Sequence, residues 1–379
     1  MSKMATLCIF NPEHDLALAN GSRFFNVPQS AAKFSNDCCE LLLHVFGNEN
    51  AAKDDSELLI GCRDSIAKGL IADVAITTVK PWGWNSAIVE TLRKAGIDES
   101  LMPSAEQLNF IREISHRGFA IDVLAAVKDK LQLDIALPQL HAGAEDVERF
   151  LTESGTLVCK MPWSGSGKGI RFINGDMTYN DRHWVENVVS KQGSVLSDRC
   201  YSVVQDFAME FYVADEVTFM GYSLFDTNGT SYKSSRLMHD EAIEHQLHKW
   251  GITKDFLLSI REVLEAHLSE TLIAKYKGYF GVDMFVYEDS GCYKVNPVVE
   301  INFRMTMGLV AAVLRAKLLA TDLQSMYMHY EAETEKLMEM HNYYKHKYPL
   351  RWSDNGKILS GYFPLTAINE ETNYHLYIL

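Results

Sequence analysis

Residues 281–304, GVDMFVYEDSGCYKVNPVVEINFR, read as two β-strands, the second ending in Glu300-Ile301-Asn302. Side chains two apart on a strand point to the same face, so Glu300 and Asn302 converge, and Asp283 on the first strand is placed to join them. Two carboxylates and an amide oxygen are hard ligands of the kind Mg2+ takes when it also holds a nucleotide's phosphates. A second half-site lies upstream. Leu157-Val158-Cys159 is an apolar strand ending in Lys160, and Pro162-Trp-Ser164-Gly165-Ser166-Gly167-Lys168-Gly169 follows it. Together the two halves suggest an enzyme that clamps ATP between a cationic glycine loop and an acidic metal platform.

Hairpin geometry constrains this reading. A tight turn at Asp289-Ser290-Gly291 would set Asp283 opposite about Asn296, leaving Glu300 roughly 13 Å further along at about 3.3 Å per residue. That is too far to share a metal. Pro297 cannot donate to a ladder and belongs at a strand start or outside it. The expectation is therefore a wide loop over about 288–297 that brings Asp283 opposite Glu300 and Asn302.

The chain has 379 residues, 47% of them hydrophobic, enough for two or three domains with real cores. No apolar run is long enough for a transmembrane helix, so no membrane partner is expected. The N-terminal MSKMATLCIFNPEHD turns polar too soon for a signal peptide, which implies a cytoplasmic protein. Thirty-six Lys and Arg against 50 Asp and Glu give a net charge of −14. Nucleic-acid binding is excluded on that balance, because such affinity comes mostly from cations on phosphates. The acidity is spread along the chain, the pattern of a soluble, self-repelling surface. Seven cysteines, an odd number without a CxxC pair, imply reduced thiols.

The first segment alternates strand and helix: Thr6 to Phe10, the polar turn Asn11-Pro12-Glu13-His14-Asp15, strand-like 74–79, then helix-like 86–96. No GxGxxG follows the first strand, so a dinucleotide fingerprint is absent. Ser104 and Gln107 form a capping-box signature. Ser115-His116-Arg117 leads into a further helix through Val127 and Leu131, and 144–151 reads as another. Strand patterns then dominate from Leu157. A long amphipathic helix runs from about Phe256 to Tyr276, and one begins near Gly308. The tail reads as short strands.

GSGKG fails as a P-loop, because Pro162 stands where the first glycine belongs and Gly169 follows Lys168. What survives is a flexible glycine loop between two strands, whose backbone N–H groups approach an anion without Cβ clash. An ordinary glycine hairpin is the competing reading for this segment alone.

A Lys-ended strand, a glycine loop, VVQDF, an Asp-bearing strand and EINFR occur in the order typical of the ATP-grasp superfamily. Over about residues 115–330 the chain resembles its carboxylate–amine ligases, such as D-alanine–D-alanine ligase, glutathione synthetase and biotin carboxylase. The resemblance implies an α/β (α+β) ATP-grasp fold behind a Rossmann-like domain. It divides the chain into 1–115 (front α/β domain), 116–204 (small subdomain with Lys strand and glycine loop) and 205–379 (large subdomain with the metal site).

By the same resemblance Lys160 meets an α-phosphate and the adenine edge, and Ser164 to Gly169 covers the phosphates. Gln205, Asp206, Phe207 and Ala208 fall at the adenine hinge, where backbone groups read the base; many relatives have Glu at the position of Gln205. Glu216 resembles the carboxylate that holds the ribose. Asp283, Glu300 and Asn302 resemble ligands of Mg2+ or Mn2+. Many ligases carry an Arg two residues before the metal Asp, where this chain has Gly281. Arg304, Arg236 or Lys168 would then offset charge on the transferred phosphoryl group. Lys233 is a further candidate for the γ-phosphate or an acidic substrate.

The implied activity is ADP-forming ligation: ATP phosphorylates a small-molecule carboxylate, and an amine or similar nucleophile displaces phosphate. A small-molecule kinase on the same fold and a non-catalytic nucleotide-binding protein are the alternatives. Glu244-His245-x-x-His248 does not match a zinc motif, and His239, His245 and His248 read as a helix face. The Pro12–Asp15 turn and Trp82-Gly83-Trp84-Asn85 stay open between substrate contact and structural roles.

Overall fold

The computed structural model describes residues 4–47, 57–72, 74–165, 167 and 169–379. The chain forms two compact units. One comprises Met1–Ile111, Lys233–His239 and Arg304–Leu379, the other Arg112–Tyr232 and Asp240–Phe303. The tail from Arg304 thus groups with the N-terminal segment, not with the large subdomain as the sequence reading has it.

The first unit opens on a parallel sheet in which Met4–Ile9 lies between Glu57–Gly61 and Ala75–Pro81. Leu7, Ile9, Ile66, Ile71, Val79, Ile88 and Leu92 form its core. The helix Ser86–Lys94 begins where Asn85 accepts hydrogen bonds from the Ala87 and Ile88 N–H groups, satisfying two orphan donors. Farther along, the strand Gln324–Tyr330 pairs antiparallel with Ser231–Leu237 and Tyr374–Ile378. Ser104 and Gln107 exchange the two bonds of the expected capping box.

The second unit holds two antiparallel sheets. In the smaller, the order is Gln139–His141, Val195–Arg199, Thr156–Lys160, Ile170–Asn174, over a core of Val147, Leu151, Leu157, Cys159, Val185 and Val195. In the larger, Gly278–Asp289 lies between Cys292–Asn302 and Ser202–Val213, with Val217–Asn228 beyond. The helix Lys254–Leu272 buries Leu257, Ile260, Leu264, Leu268 and Leu272, the 3–4 spacing of one apolar stripe. The helix Arg117–Leu131 packs on that helix and on the strand Cys292–Asn302.

The 281–302 hairpin corrects the expected wide loop. Asp289 pairs directly with Cys292 across a two-residue turn. Ser290 and Gly291 sit at φ 55° and 84°, the left-handed pair that a type I′ turn requires. The slack is taken up inside the strand instead: Phe285 faces Asn296, yet Asp283 faces Glu300. The extra residues are Pro297, Val298 and Val299 against Met284 alone. The Asn296 side chain accepts from the Val298 N–H at 3.2 Å and holds the bulge.

Among the described residues no helix is long and apolar enough to cross a membrane. All seven cysteines are free.

Candidate functional site

Three sequence candidates converge as expected. Asp283 and Glu300 are direct cross-strand partners, and the Asn302 amide donates to Asp283 Oδ2 at 3.0 Å. Their oxygens are of the type a hard divalent cation takes. Among the described residues, no group of three or more His, Cys, Asp or Glu side chains is placed to hold a metal. A cation held by the trio would therefore draw on its amide member as well as the two carboxylates.

Lys160 ends its strand as expected and is 8% exposed. A bare buried ammonium is costly, and Asp198 relieves it at 3.3 Å. Asp198 lies on the adjacent strand two residues from Leu196, the register partner of Lys160, so the pair is diagonal on one face.

Arg117, read from the sequence only as the lead into a helix, joins the two half-sites. One arm of its guanidinium donates to the Met161 carbonyl and, at 2.8 Å, to the Ser164 hydroxyl. The other arm reaches Glu300 Oε2 at 2.7 Å. The helix start that aims it is firmly anchored. His116 caps the helix by accepting from the Gly118 N–H, and the Arg117 N–H donates to the Pro162 carbonyl. Trp163 packs edge-on against His116 and under Arg112. The only sequence signal for this role is a cation in the first turn of a helix followed by glycine.

The glycine loop lies between antiparallel strands, as expected, and the Met161 N–H donates to the Gly169 carbonyl. Gly167 adopts φ 70°, and a Cβ there would sit 1.8 Å from the Thr230 carbonyl oxygen. The Thr230 hydroxyl donates to the Gly167 carbonyl at 3.0 Å. Ser166 and Lys168 lie outside the described residues.

The expected hinge requires correction. Asp206, Phe207 and Ala208 pair with Phe225, Leu224 and Ser223 on one side and with Phe285, Met284 and Asp283 on the other. Their main-chain groups are committed to the ladder and are not presented to a base. Gln205 spends its amide on the Asp206 and Phe225 carbonyls. Burial raises the Asp206 carboxyl above its ordinary value. Glu216 sits exposed in the turn after Val213, some five strand residues or about 17 Å beyond Ala208, too far along for one nucleoside to place its base on Gln205–Ala208 and its ribose on Glu216.

Arg304 is also reassigned. Its guanidinium forks onto Asp15, with contacts of 3.1, 3.1 and 2.9 Å, and its remaining arm donates to the Met305 carbonyl. Such a bidentate pair is strong and geometrically fixed. Arg236 lies on the strand Ser231–Leu237, opposite Ser325, in the same unit. The Pro12–Asp15 turn is tied to the Trp82–Asn85 turn: Asn11 donates to the Gly83 carbonyl, and His14 Nδ1 meets the Asn85 amide at 3.2 Å. A Cβ on Gly83 would strike the His14 ring.

No protein-family profile matches the sequence, and no curated protein does. Among solved structures, the chain is similar to the ADP complex of purK, N5-carboxyaminoimidazole ribonucleotide synthetase. The identity is 11%, with 100% of this chain and 92% of that chain covered and a TM-score of 0.51. It is also similar to a biotin carboxylase–β,γ-ATP complex from Campylobacter jejuni, at 13% identity, 98% and 86% coverage and a TM-score of 0.51. At such identities the likeness concerns the fold: the chain has the ATP-grasp fold, with a Rossmann-like α/β segment in front.

Proposed function

We propose that the protein is an ATP- and Mg2+-dependent, ADP-forming ligase that activates a small-molecule carboxylate as an acylphosphate for attack by an amine or similar nucleophile. The observation that carries the reading is the contact of Arg117 with both Ser164 and Glu300, which draws the glycine loop and the acidic strand end together within one unit. The fold shared with purK and biotin carboxylase supports it.

The residues fit the group that the fold implies. Asp283, Glu300 and Asn302 offer carboxylate and amide oxygens, and a divalent cation held there would offset charge on the triphosphate. Arg117, half-engaged with the loop, is the cation best placed to trade Glu300 for a phosphate oxygen. Lys160 remains the candidate for an α-phosphate, with Asp198 fixing its ammonium. Ser164 to Gly169 would cover the phosphates and exclude water that hydrolyses an acylphosphate.

For the base, the reading moves upstream of the expected hinge. The register between Ser202–Val213 and Gly278–Asp289 jumps from Gln205 to Val203, so Val204 is skipped. Val203 and Val204 are 44% and 39% exposed apolar residues beside the Cys200–Tyr201 crossing. They supply an apolar surface of the kind an adenine needs, and Val204 falls outside the ladder to Gly278–Asp289.

The test is release of ADP and phosphate against a panel of carboxylic acids and amines. Free phosphate that requires both co-substrates is the expected result. ADP without free phosphate would redirect the reading to a kinase, and binding without turnover to a non-catalytic nucleotide protein.

A further inference from the structure

The glycine loop is anchored by a residue that lies in neither half-site. The helix Tyr179–Gln192 buries Val185 and Val188 in the core that also takes Leu157 and Cys159, from the strand ending in Lys160. Helix and strand therefore share one frame. Gly193 ends the helix at φ 83°, in the left-handed region that glycine enters without Cβ strain. Gln192 is thus the last helical residue, half-buried beside the start of the loop.

Its side-chain amide pairs with the main chain of Trp163. Gln192 Oε1 accepts from the Trp163 N–H at 2.9 Å, and Nε2 donates to the Trp163 carbonyl at 3.2 Å. The reverse orientation would set donor against donor and acceptor against acceptor, so the amide has one way to point. The indole is held separately. Its Nε1–H donates to the Arg112 carbonyl at 2.9 Å, and the Arg112 guanidinium carbon lies 4.1 Å from the ring centroid.

These contacts set the residue that follows. Arg117 holds the Ser164 hydroxyl at 2.8 Å and in turn meets Glu300. A Cβ on Gly169 would lie 2.6 Å from the Ser164 Cβ, so Ser164 also fixes where the chain returns to its strand. Without the Gln192 amide, the backbone that carries Ser164 is no longer tied to the helix.

We propose that Gln192 is a positioning residue for the triphosphate: through Trp163 it holds Ser164 in register with Lys160 and against Arg117. The inference rests on the nucleotide reading above. Its physical basis is preorganisation. A stem already fixed by the helix gives up less freedom when phosphates bind, so less of the binding energy goes into ordering it. A role confined to folding would instead affect every ligand alike.

The experiment is calorimetric titration of the full chain with β,γ-methylene-ATP and Mg2+, and with AMP, which lacks the outer phosphates. In Gln192→Met, which keeps the length of the side chain and removes both hydrogen bonds, the ATP analogue binds about tenfold more weakly while AMP changes by less than about twofold. Hydrogen exchange at the Trp163 amide quickens by about tenfold or more in the nucleotide-free variant. Should Gln192→Met fail to fold, Gln192→Ala decides by the same measurements. Unchanged affinity for the analogue overturns the proposal. So does equal weakening of both ligands, which would mean a general loosening of the fold. If the wild type binds neither ligand, the nucleotide reading falls and the role with it, and faster exchange at Trp163 then marks a structural anchor only.

Discussion

Arg117 and Glu300, 183 positions apart, share a 2.7 Å ion pair, and the same guanidinium holds the Ser164 hydroxyl. The Arg117 side chain is 4% exposed and the Glu300 side chain 25% exposed, so the pair is shielded on the cation's side and open on the acid's. A ligand arriving from the open side meets a carboxylate already aimed and a guanidinium that can exchange partners.

Replacing Arg117 by Ala should remove the link between loop and acid and lower kcat/KM for ATP by about a hundredfold or more. Arg117→Lys should recover little of it, because an ammonium cannot span two partners as a planar fork does. Steady-state kinetics with both variants checks this. Equal activity of Arg117→Lys and wild type would show that only charge matters there.

Glu300→Gln keeps the shape and an acceptor for Arg117 but removes the carboxylate. Mg2+-dependent ATP turnover should vanish while the thermal transition stays close to wild type. Near-normal turnover would remove Glu300 from the metal assignment, leaving it a structural partner of Arg117.

Lys160→Ala leaves Asp198, 3% exposed, without its cation. Breaking a buried pair in this way costs about 3–5 kcal/mol, so the urea midpoint should fall along with ATP affinity. Asp198→Asn separates the two effects: it should loosen ATP binding by freeing the ammonium while costing less stability. An unchanged ATP dissociation constant in Lys160→Ala would dismiss the lysine from the nucleotide site.

Strand periodicity makes the acidic trio legible, because faces alternate however the strand is paired. It says nothing of where surplus residues go, and the Pro297–Val299 bulge rather than a wide loop does the fitting. The charge roles are harder still. Arg304 sits in a motif-like EINFR, yet its partner Asp15 lies 289 positions away in the Pro12–Asp15 turn, whose role sequence alone leaves open. Arg117 looks like any cation in a first helical turn until folding sets it between Ser164 and Glu300. The hinge fails for a related reason: QDFA has a strand-like sequence, and only the sheet order reveals that both its edges are occupied.

Gly167→Ala tests whether the glycine loop depends on its contact with Thr230. The residue has φ 70°, and a Cβ would lie 1.8 Å from the Thr230 carbonyl oxygen, a backbone atom that cannot turn aside. The variant should lift the loop from Thr230 and raise its proteolysis rate severalfold, with ATP protection weakened. Gly175→Ala, also at positive φ but with open space around the Cβ, is the control for backbone strain alone. Identical proteolysis of the two variants would deny the Thr230 contact any special role.

Glu13 and His14 predict an unusual pH profile of stability. Burial raises the Glu13 carboxyl from 4.5 to about 7, and burial with help from Arg304 lowers His14 from 6.5 to about 4. Between 4.5 and 7 the folded chain keeps a proton on Glu13 that the unfolded chain releases, so this residue makes stability fall as pH rises. Between 4 and 6.5 the unfolded chain protonates His14 and the folded chain does not, so this residue makes stability rise. Each effect amounts to about 3 kcal/mol across its window, and the two oppose each other over 4.5–6.5. Urea midpoints across this range should therefore rise with pH more steeply in Glu13→Gln than in wild type, while His14→Gln should tilt the other way. Other titrating groups act alike in all three proteins, so the differences between the curves isolate the pair. Parallel curves for Glu13→Gln and wild type would mean that Glu13 ionises in the folded chain as it does in water, and that its burial is relieved by solvent.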